Sequence, residues 1–336
     1  MKPQNQTAKT KLVLQFLERY PTMPSLTMAK LLYKEFPLDF GSIEEARTRV
    51  RYYRGASGDF NRKKLSLKDY ITDTVYNPFS ALVSDSEDFK PFVLNKKDNN
   101  IGIISDLHIP NHRLEPIKIA VDKLKDEKIN TLIINGDLLD NTPFTRHEGK
   151  RPSASEVRRW FDLSEMFLEF LRDQFPNCRI LWAEGNHDYW YRRWMNQHAW
   201  QLDDDPYFSL QERLHLAEYN IEFVSQNLYI MAGKLSIAHG HHVVKGIIAP
   251  VNAARGVYTK AKRSMLIGHV HVESSHTETD LHGDIVTTFS TGCLCTLTPE
   301  YQPMGGKACH GFAHVLTEDD GNFIVKNYRI HKGKLL

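Results

Sequence analysis

The stretch Thr131-Leu-Ile-Ile-Asn-Gly-Asp-Leu-Leu-Asp140 joins two kinds of chemistry. Its first half is an apolar run of strand length, rich in β-branched side chains; its second half is a glycine turn carrying two carboxylates. The same grammar recurs on both sides. Ile101–Ile104 runs into Ser105-Asp106-Leu107-His108, and Ile180–Ala183 runs into Glu184-Gly185-Asn186-His187-Asp188. Leu235–Ala238 runs into His239-Gly240-His241-His242, and Met265–Ile267 into Gly268-His269-Val270-His271. Helical stretches lie between them, and this alternation predicts an α/β layered fold. In such sheets sites assemble at the carboxyl ends of strands, so these segments are expected to converge.

Carboxylates and imidazoles at these positions are expected to hold metal. Two divalent ions about 3.5–4 Å apart clamp a phosphate and lower the pKa of a water to give hydroxide. A carboxylate shared between them needs a tight turn, and Gly136 before Asp137 lets the backbone approach. Mixed imidazole and carboxylate donors suit manganese, iron or zinc, whereas magnesium prefers an all-oxygen shell. His269 and His271 are two apart, hence on one side of an extended chain, and each can reach one ion. Singly, a D-x-H or a G-H-x-H is common by chance, and a histidine after a strand is more often a satisfied core residue. All of the motifs in this order leave little room for coincidence.

The series D-x-H, G-D-x-x-D, G-N-H-D, H-G and G-H-x-H, from Asp106 to His271, resembles the calcineurin-like metallophosphoesterase superfamily over roughly residues 99–336. The resemblance implies a layered β-sandwich flanked by helices. It implies a phosphoesterase working by metal-activated hydroxide attack with two divalent ions, manganese expected and iron or zinc the alternatives. By position, one ion is held by Asp106, His108, Asp137 and His271, and the other by Asp137, Asn186, His239 and His269, with Asp137 the bridge. His187 resembles the family's non-ligand histidine, which stabilises the transition state and protonates the leaving oxygen. Asp140 resembles the carboxylate that orients it. His241 either contacts substrate or fills its loop.

The departures carry information. Protein serine/threonine phosphatases of the superfamily resemble G-D-x-V-D-R-G followed by G-N-H-E; here Asn141 stands in place of the phosphate-gripping arginine and Asp188 in place of the glutamate. Phosphodiesterases and nucleases tolerate this pattern better, so a phosphodiester in DNA or RNA is the expected substrate. A phosphomonoesterase acting on nucleotides or phosphoproteins is the alternative. A DNA-binding regulator with a relic enzyme domain is a third, against which the intact ligand set speaks.

Two segments could shape the substrate site. Tyr189-Trp190-Tyr191-Arg192-Arg193-Trp194 either stacks bases and holds phosphates or packs as an ordinary helix. The insertion between Asp140 and Ile180 is basic, from Arg146-His147 through Lys150-Arg151 to Arg158-Arg159, and supplies either a phosphate-binding cation or a solvated face.

The first 64 residues read differently. Leu12, Val13, Phe16, Leu17 and Tyr20 recur at helical spacing before Pro21; Ser25 is placed to cap a second helix that ends at Pro37. Ser42 and Glu45 form a capping box that opens a third, running to Arg54 and Gly55. Three short helices predict a small all-α, helix-turn-helix-like domain over residues 1–64, with a connector over 65–98 and the enzyme domain over 99–336. Residues 42–64 carry seven basic and three acidic residues, a net +4. Arg47, Arg51 and Arg54 are spaced to share one helix face beside Tyr52 and Tyr53, as nucleic-acid contact requires; a charged solvent face is the plainer alternative.

The 336-residue chain has 43 Lys+Arg against 41 Asp+Glu, so any nucleic-acid affinity must be local. No long apolar run predicts a membrane span, and the polar, basic start does not read as a secretory signal. Cys293 and Cys295 are too close for a C-x-x-C pair, and with Cys178 and Cys309 they read as reduced thiols of a cytoplasmic protein.

Overall fold

The computed structural model describes residues 8–55, 89–145, 152–202, 205–244, 251–299 and 306–336. The chain divides into two compact units, Met1–Glu87 and Asp88–Leu336.

The described residues of the first unit form three helices: α1 (Ala8–Arg19), α2 (Ser25–Glu35) and α3 (Ile43–Tyr53). Val13, Phe16 and Leu17 of α1 close over Met28, Ala29 and Leu32 of α2 and Ala46 and Val50 of α3, with Phe40 buried in the intervening turn. The helix starts differ in part from expectation. Pro24, not Ser25, occupies the N-cap of α2 and makes no side-chain cap bond; its fixed φ suits the entry. Ser42 does cap α3, accepting from Glu45 N at 3.1 Å, but the Glu45 carboxylate reaches back to Gly41 N rather than to Ser42. Gly55 closes α3 at φ 75°, the left-handed exit that glycine favours.

The second unit begins inside the expected connector. β1 (Phe92–Val93) already pairs with a later strand, β6 (Ile230–Ala232). From there the order is β2 (Asn100–Ile104), α4 (Leu114–Asp126), β3 (Thr131–Asn135), α5 (Ala154–Gln174), β4 (Arg179–Ala183), α6 (Asn186–His198), α7 (Leu210–Arg213) and β5 (Ile221–Val224). After β6 come β7 (Leu235–Ala238), α8 (His241–Val244), α9 (Ala253–Ala261), β8 (Met265–Ile267), β9 (Ser274–Thr279), β10 (Ile285–Ser290), β11 (His310–Thr317), β12 (Phe323–His331) and β13 (Lys334–Leu335).

These strands make two sheets. The seven-stranded one runs β13-β12-β11-β2-β3-β4-β5 and the six-stranded one β1-β6-β7-β8-β10-β9. β2, β3, β4 and β5 are parallel, as are β7 and β8. Side chains of a strand alternate between faces. Ile101, Ile103, Ile133, Leu181 and Ala183 therefore meet Ile230, Leu235, Ile237 and Leu266 of the other sheet. The intervening Ile104, Leu132, Ile134, Ile180 and Trp182 pack on Ile117, Val121 and Leu124 of α4 and Phe161, Leu168 and Leu171 of α5. Val257 of α9 covers Met265 and Ile267 on the remaining face. The result is a β-sandwich with helices outside, as expected. Among the described residues no helix is long and apolar enough to cross a membrane.

Candidate metal centre

The carboxyl ends of β2, β3, β4, β7 and β8 meet at one edge of the sandwich, with both sheets contributing. Main-chain bonds zip the loops together there: Asp106 N donates to Gly136 O at 3.1 Å, His108 N to Asp137 O at 2.9 Å, and Gly268 N to His239 O at 3.0 Å. The approach is close. A Cβ on Gly136 would lie 2.4 Å from the His239 ring, and one on Gly268 would lie 2.0 Å from Ser105 Oγ. To turn their side chains into one space, Asp106, His108, Asp137, His269 and His271 all adopt positive φ, between 48° and 63°.

Among the described residues four groups have their donor atoms within 4.8 Å of one another: His108, His271 and Cys295; His108, Asp140 and His187; and a central pair, Asp106, His108 and Asp137, and Asp137, His239 and His269. Asp137 belongs to both. His271 Nε2 lies 3.1 Å from Asp106 Oδ1 and 3.2 Å from His108 Nε2. His239 Nε2 lies 3.0 Å from Asp137 Oδ2 and 3.1 Å from Asn186 Oδ1. All of the residues assigned to the two ions from sequence are thus brought together.

Ring orientation is fixed from behind. His239 Nδ1 donates to the Asn135 carbonyl at 2.9 Å, and His108 Nδ1 donates to Asp140 Oδ1 at 3.1 Å. Each bond fixes the tautomer and leaves Nε2 as a lone-pair donor pointed into the site. Behind Asp106, Ser105 Oγ donates to Oδ2 at 2.5 Å, and His269 N donates to the same oxygen at 3.0 Å. Cys295 Sγ stands 4.0 Å from His271 Nδ1.

The electrostatics call for a cation. Burial alone would raise Asp106 and Asp137, but His271 beside the first and His239 beside the second hold both below the usual carboxylate range. Burial lowers His239, yet Asp137 pushes it up to about 9. Burial and the neighbouring His239 then depress His269 to about 4. The two carboxylates thus attract positive charge, while the crowded imidazoles cannot all be protonated. Facing nitrogens on His108 and His271 repel unless a proton or metal ion lies between them. This donor set therefore fits divalent ions.

His187 sits beside the ligand set. Its Nδ1 donates to the Asp140 main-chain carbonyl at 2.7 Å, while the Asp140 carboxylate is farther, at 3.5 Å, and serves His108 and Asn111. Asp140 holds the ring chiefly through its backbone, a contact no motif announces. Burial lowers the His187 pKa, but Asp137 and Asp140 more than offset it, for a net rise. Asn141 gives its carboxamide to the His187 carbonyl at 3.1 Å, and buried Asp188 accepts from Leu139 N and Gly185 N at 2.9 Å each. Both brace the turn. His241 bonds Gln226 Oε1 at 2.9 Å, with its ring 5.6 Å from that of His239.

The family model of the calcineurin-like phosphoesterases matches residues 100–276, more than half of the chain. The chain belongs to this family. It is accordingly a metal-dependent hydrolase of phosphate esters, and its family binds two divalent ions. No curated protein matches it. Among solved structures this phosphoesterase is similar to Vacuolar Protein Sorting 29 from Cryptosporidium parvum, at 15% identity and TM-score 0.39, covering 71% of this chain and 94% of that one. It is also similar to a dimetal phosphatase from Danio rerio, at 12% identity and TM-score 0.36, covering 69% and 96%. A third similar structure is Yfce, a phosphoesterase from E. coli, at 16% identity and TM-score 0.34, covering 67% and 96%.

The expected nucleic-acid contacts of this phosphoesterase fare unevenly. Arg51 is exposed on α3 next to Tyr52, which is 42% exposed. Arg47 is half-buried, with Nη1 3.5 Å from Glu44. Arg54 is a correction: its guanidinium donates to Ser25 Oγ and to the Pro21 carbonyl, both at 3.2 Å, and to the Met23 carbonyl, so it ties α3 to the α1–α2 turn. Arg62, Lys63 and Lys64, like Arg146, His147, Lys150 and Arg151, lie outside the described residues. Arg158 and Arg159 are exposed on α5.

Sequence reasoning missed Ser105, Asn135, Asn111 and Cys295. Ser105 directly precedes the D-x-H signature and was within reach; Asn135 acts through its carbonyl and leaves no side-chain signal.

Proposed function

We propose that the second unit is a two-metal phosphodiesterase acting on DNA or RNA. Asp106, His108, Asp137 and His271 would hold one ion, and Asp137, Asn186, His239 and His269 the other. Asp137 carries this reading, because its carboxylate is common to both central donor groups. Manganese suits the mixed carboxylate, carboxamide and imidazole donors, with iron and zinc as alternatives. When bound, the ions would supply Lewis-acid polarisation of the phosphate and a nucleophile at neutral pH.

The side chains do the rest. His187 is anchored through Nδ1, so Nε2 is the nitrogen that meets substrate. Asp137 and Asp140 favour its protonated form, which suits a proton donor to the leaving oxygen. A nucleoside alkoxide is a poor leaving group, and protonation is where its departure is decided. Asn141 replaces the arginine that would grip a phosphate monoester, and its carboxamide is committed to the His187 carbonyl. That favours a diester over a monoester. In the first unit, exposed Arg51 and Tyr52 support a helix-turn-helix-like arm that meets the nucleic-acid backbone. Buried free thiols at all four cysteines accord with a cytoplasmic setting.

The deciding experiment compares bis-p-nitrophenyl phosphate with p-nitrophenyl phosphate, then with single-stranded and duplex DNA and RNA, all under manganese. Diester hydrolysis above monoester, with cleavage of a nucleic acid, is expected. Monoester hydrolysis alone would replace this reading with a phosphomonoesterase acting on nucleotides or phosphoproteins.

A further inference from the structure

α6 starts at the metal centre and, beyond His187, carries rings that hydrolysis itself does not need. His187, Trp190, Trp194 and His198 recur at three- and four-residue spacing, which puts them on one helix face. The Trp190 ring lies 3.8 Å from that of His187, tilted by 31°. Trp194 stands edge-on to Phe144 at 5.7 Å and stacks on His198 at 5.0 Å and 18°. Trp194 is 36% exposed, and Trp200, just past the helix, is 67% exposed. Tyr191 shows the contrasting fate: it turns to the core, edge-on to Phe161 at 5.9 Å. Trp194 and Trp200 are presented to solvent instead, with Trp190 half-buried. Cations accompany them, with Arg192 placed 5.9 Å over Tyr189 and Arg193 5.9 Å over Trp190.

We propose that this ring line is a stacking platform for the unpaired bases of single-stranded nucleic acid on the leaving-group side of the scissile phosphate. The inference rests on the nucleic-acid reading above and adds strand state and direction. His187 fixes the direction, since the residue that meets the leaving oxygen is the first ring of the line. From His187 to His198 the helix rises roughly 16 Å, room for a short run of splayed bases. Exposed indoles beside arginines suit nucleotides because every base has a face to stack and every linkage a charge. Duplex DNA hides those faces, so single strands are the substrate class.

The test uses the full chain with manganese, an oligothymidylate, and an abasic oligomer of the same length and phosphate count. Trp194→Ala should raise KM on oligothymidylate by roughly tenfold, the value of about one base–aromatic stack. The change on the abasic oligomer should be smaller, so the preference for bases collapses. Trp194→Phe should restore most of it, which separates stacking from misfolding. Equal changes on the two oligomers would overturn the platform, as would duplex cleaved as fast as single strand. If the full chain hydrolyses small diesters but neither oligomer, nucleic acid itself is the wrong substrate and the platform falls with it. Cleavage of both oligomers with no selective tryptophan effect overturns the platform alone.

Discussion

At the residue scale, charge explains why this edge of the sandwich concentrates aspartate and histidine. Asp137 faces donors on both sides, so Asp137→Asn removes a charge that both ions would feel. Bound metal, counted by mass spectrometry, should fall to one ion per chain or fewer, and activity by orders of magnitude, while circular dichroism stays native. Two retained ions with near-native turnover would refute the shared role. His187 makes the opposite prediction. It touches the set without belonging to it, so His187→Ala should keep both ions yet lose about 10²–10⁴-fold in rate. The loss should shrink for p-nitrophenolate esters, whose leaving group needs little protonation. Equal losses on good and poor leaving groups would exclude proton transfer.

At the scale of elements, the strands that feed the site were legible because buried parallel strands read as apolar runs ending abruptly on polar turns. β7 and β8 begin and end where the sequence placed them, and β2, β3 and β4 within one residue. The later strands were harder: β9 and β12 are mostly exposed or half-buried, β9 has no apolar run and β12 only Phe323-Ile324-Val325 before polar residues. The Arg47–Arg51–Arg54 face was a spacing argument, and spacing does not say that three backbone and hydroxyl acceptors wait for Arg54. Glu127, at the end of α4, was equally invisible. It gathers Lys123 at 2.9 Å, Lys326 at 3.2 Å and Tyr328 Oη at 3.0 Å, joining α4 to β12. The Lys123 hydrogen bond, aided by Lys326 and against some burial, holds its carboxyl down to about 2. A depressed carboxylate stabilises the fold above its ordinary pKa and loses that contribution as pH falls towards the folded value. Glu127→Gln should therefore lower stability at pH 7 by about 1 kcal/mol, the scale of a partly exposed network. The difference from wild type should fade between pH 4.5 and 2 in denaturant titrations; a constant difference would show that packing, not charge, is at work.

For the whole molecule, the proposed metal ligands all lie in the unit Asp88–Leu336. Removing residues 1–87 should leave hydrolysis of a small diester nearly intact, while KM for long nucleic acid rises and its salt dependence flattens. Arg51→Ala alone should reduce the slope of log K against log salt by about 0.7 on single-stranded DNA, one phosphate contact. Unchanged handling of long DNA and RNA by the shortened chain would reassign the helical unit to protein contacts. Among the described residues, the helical unit's core around Leu17, Leu32 and Val50 shares no residue with the cores of the sandwich. Two cores of this kind need not melt together, so a single midpoint need not describe the chain. Scanning calorimetry should resolve two endotherms. Chelation should move only the one belonging to the sandwich, since an ion at 100 times its Kd contributes about 2.7 kcal/mol to the unit that binds it and nothing to the other. Heat alone would then report which half of the protein is charged with metal, without any substrate in the cell.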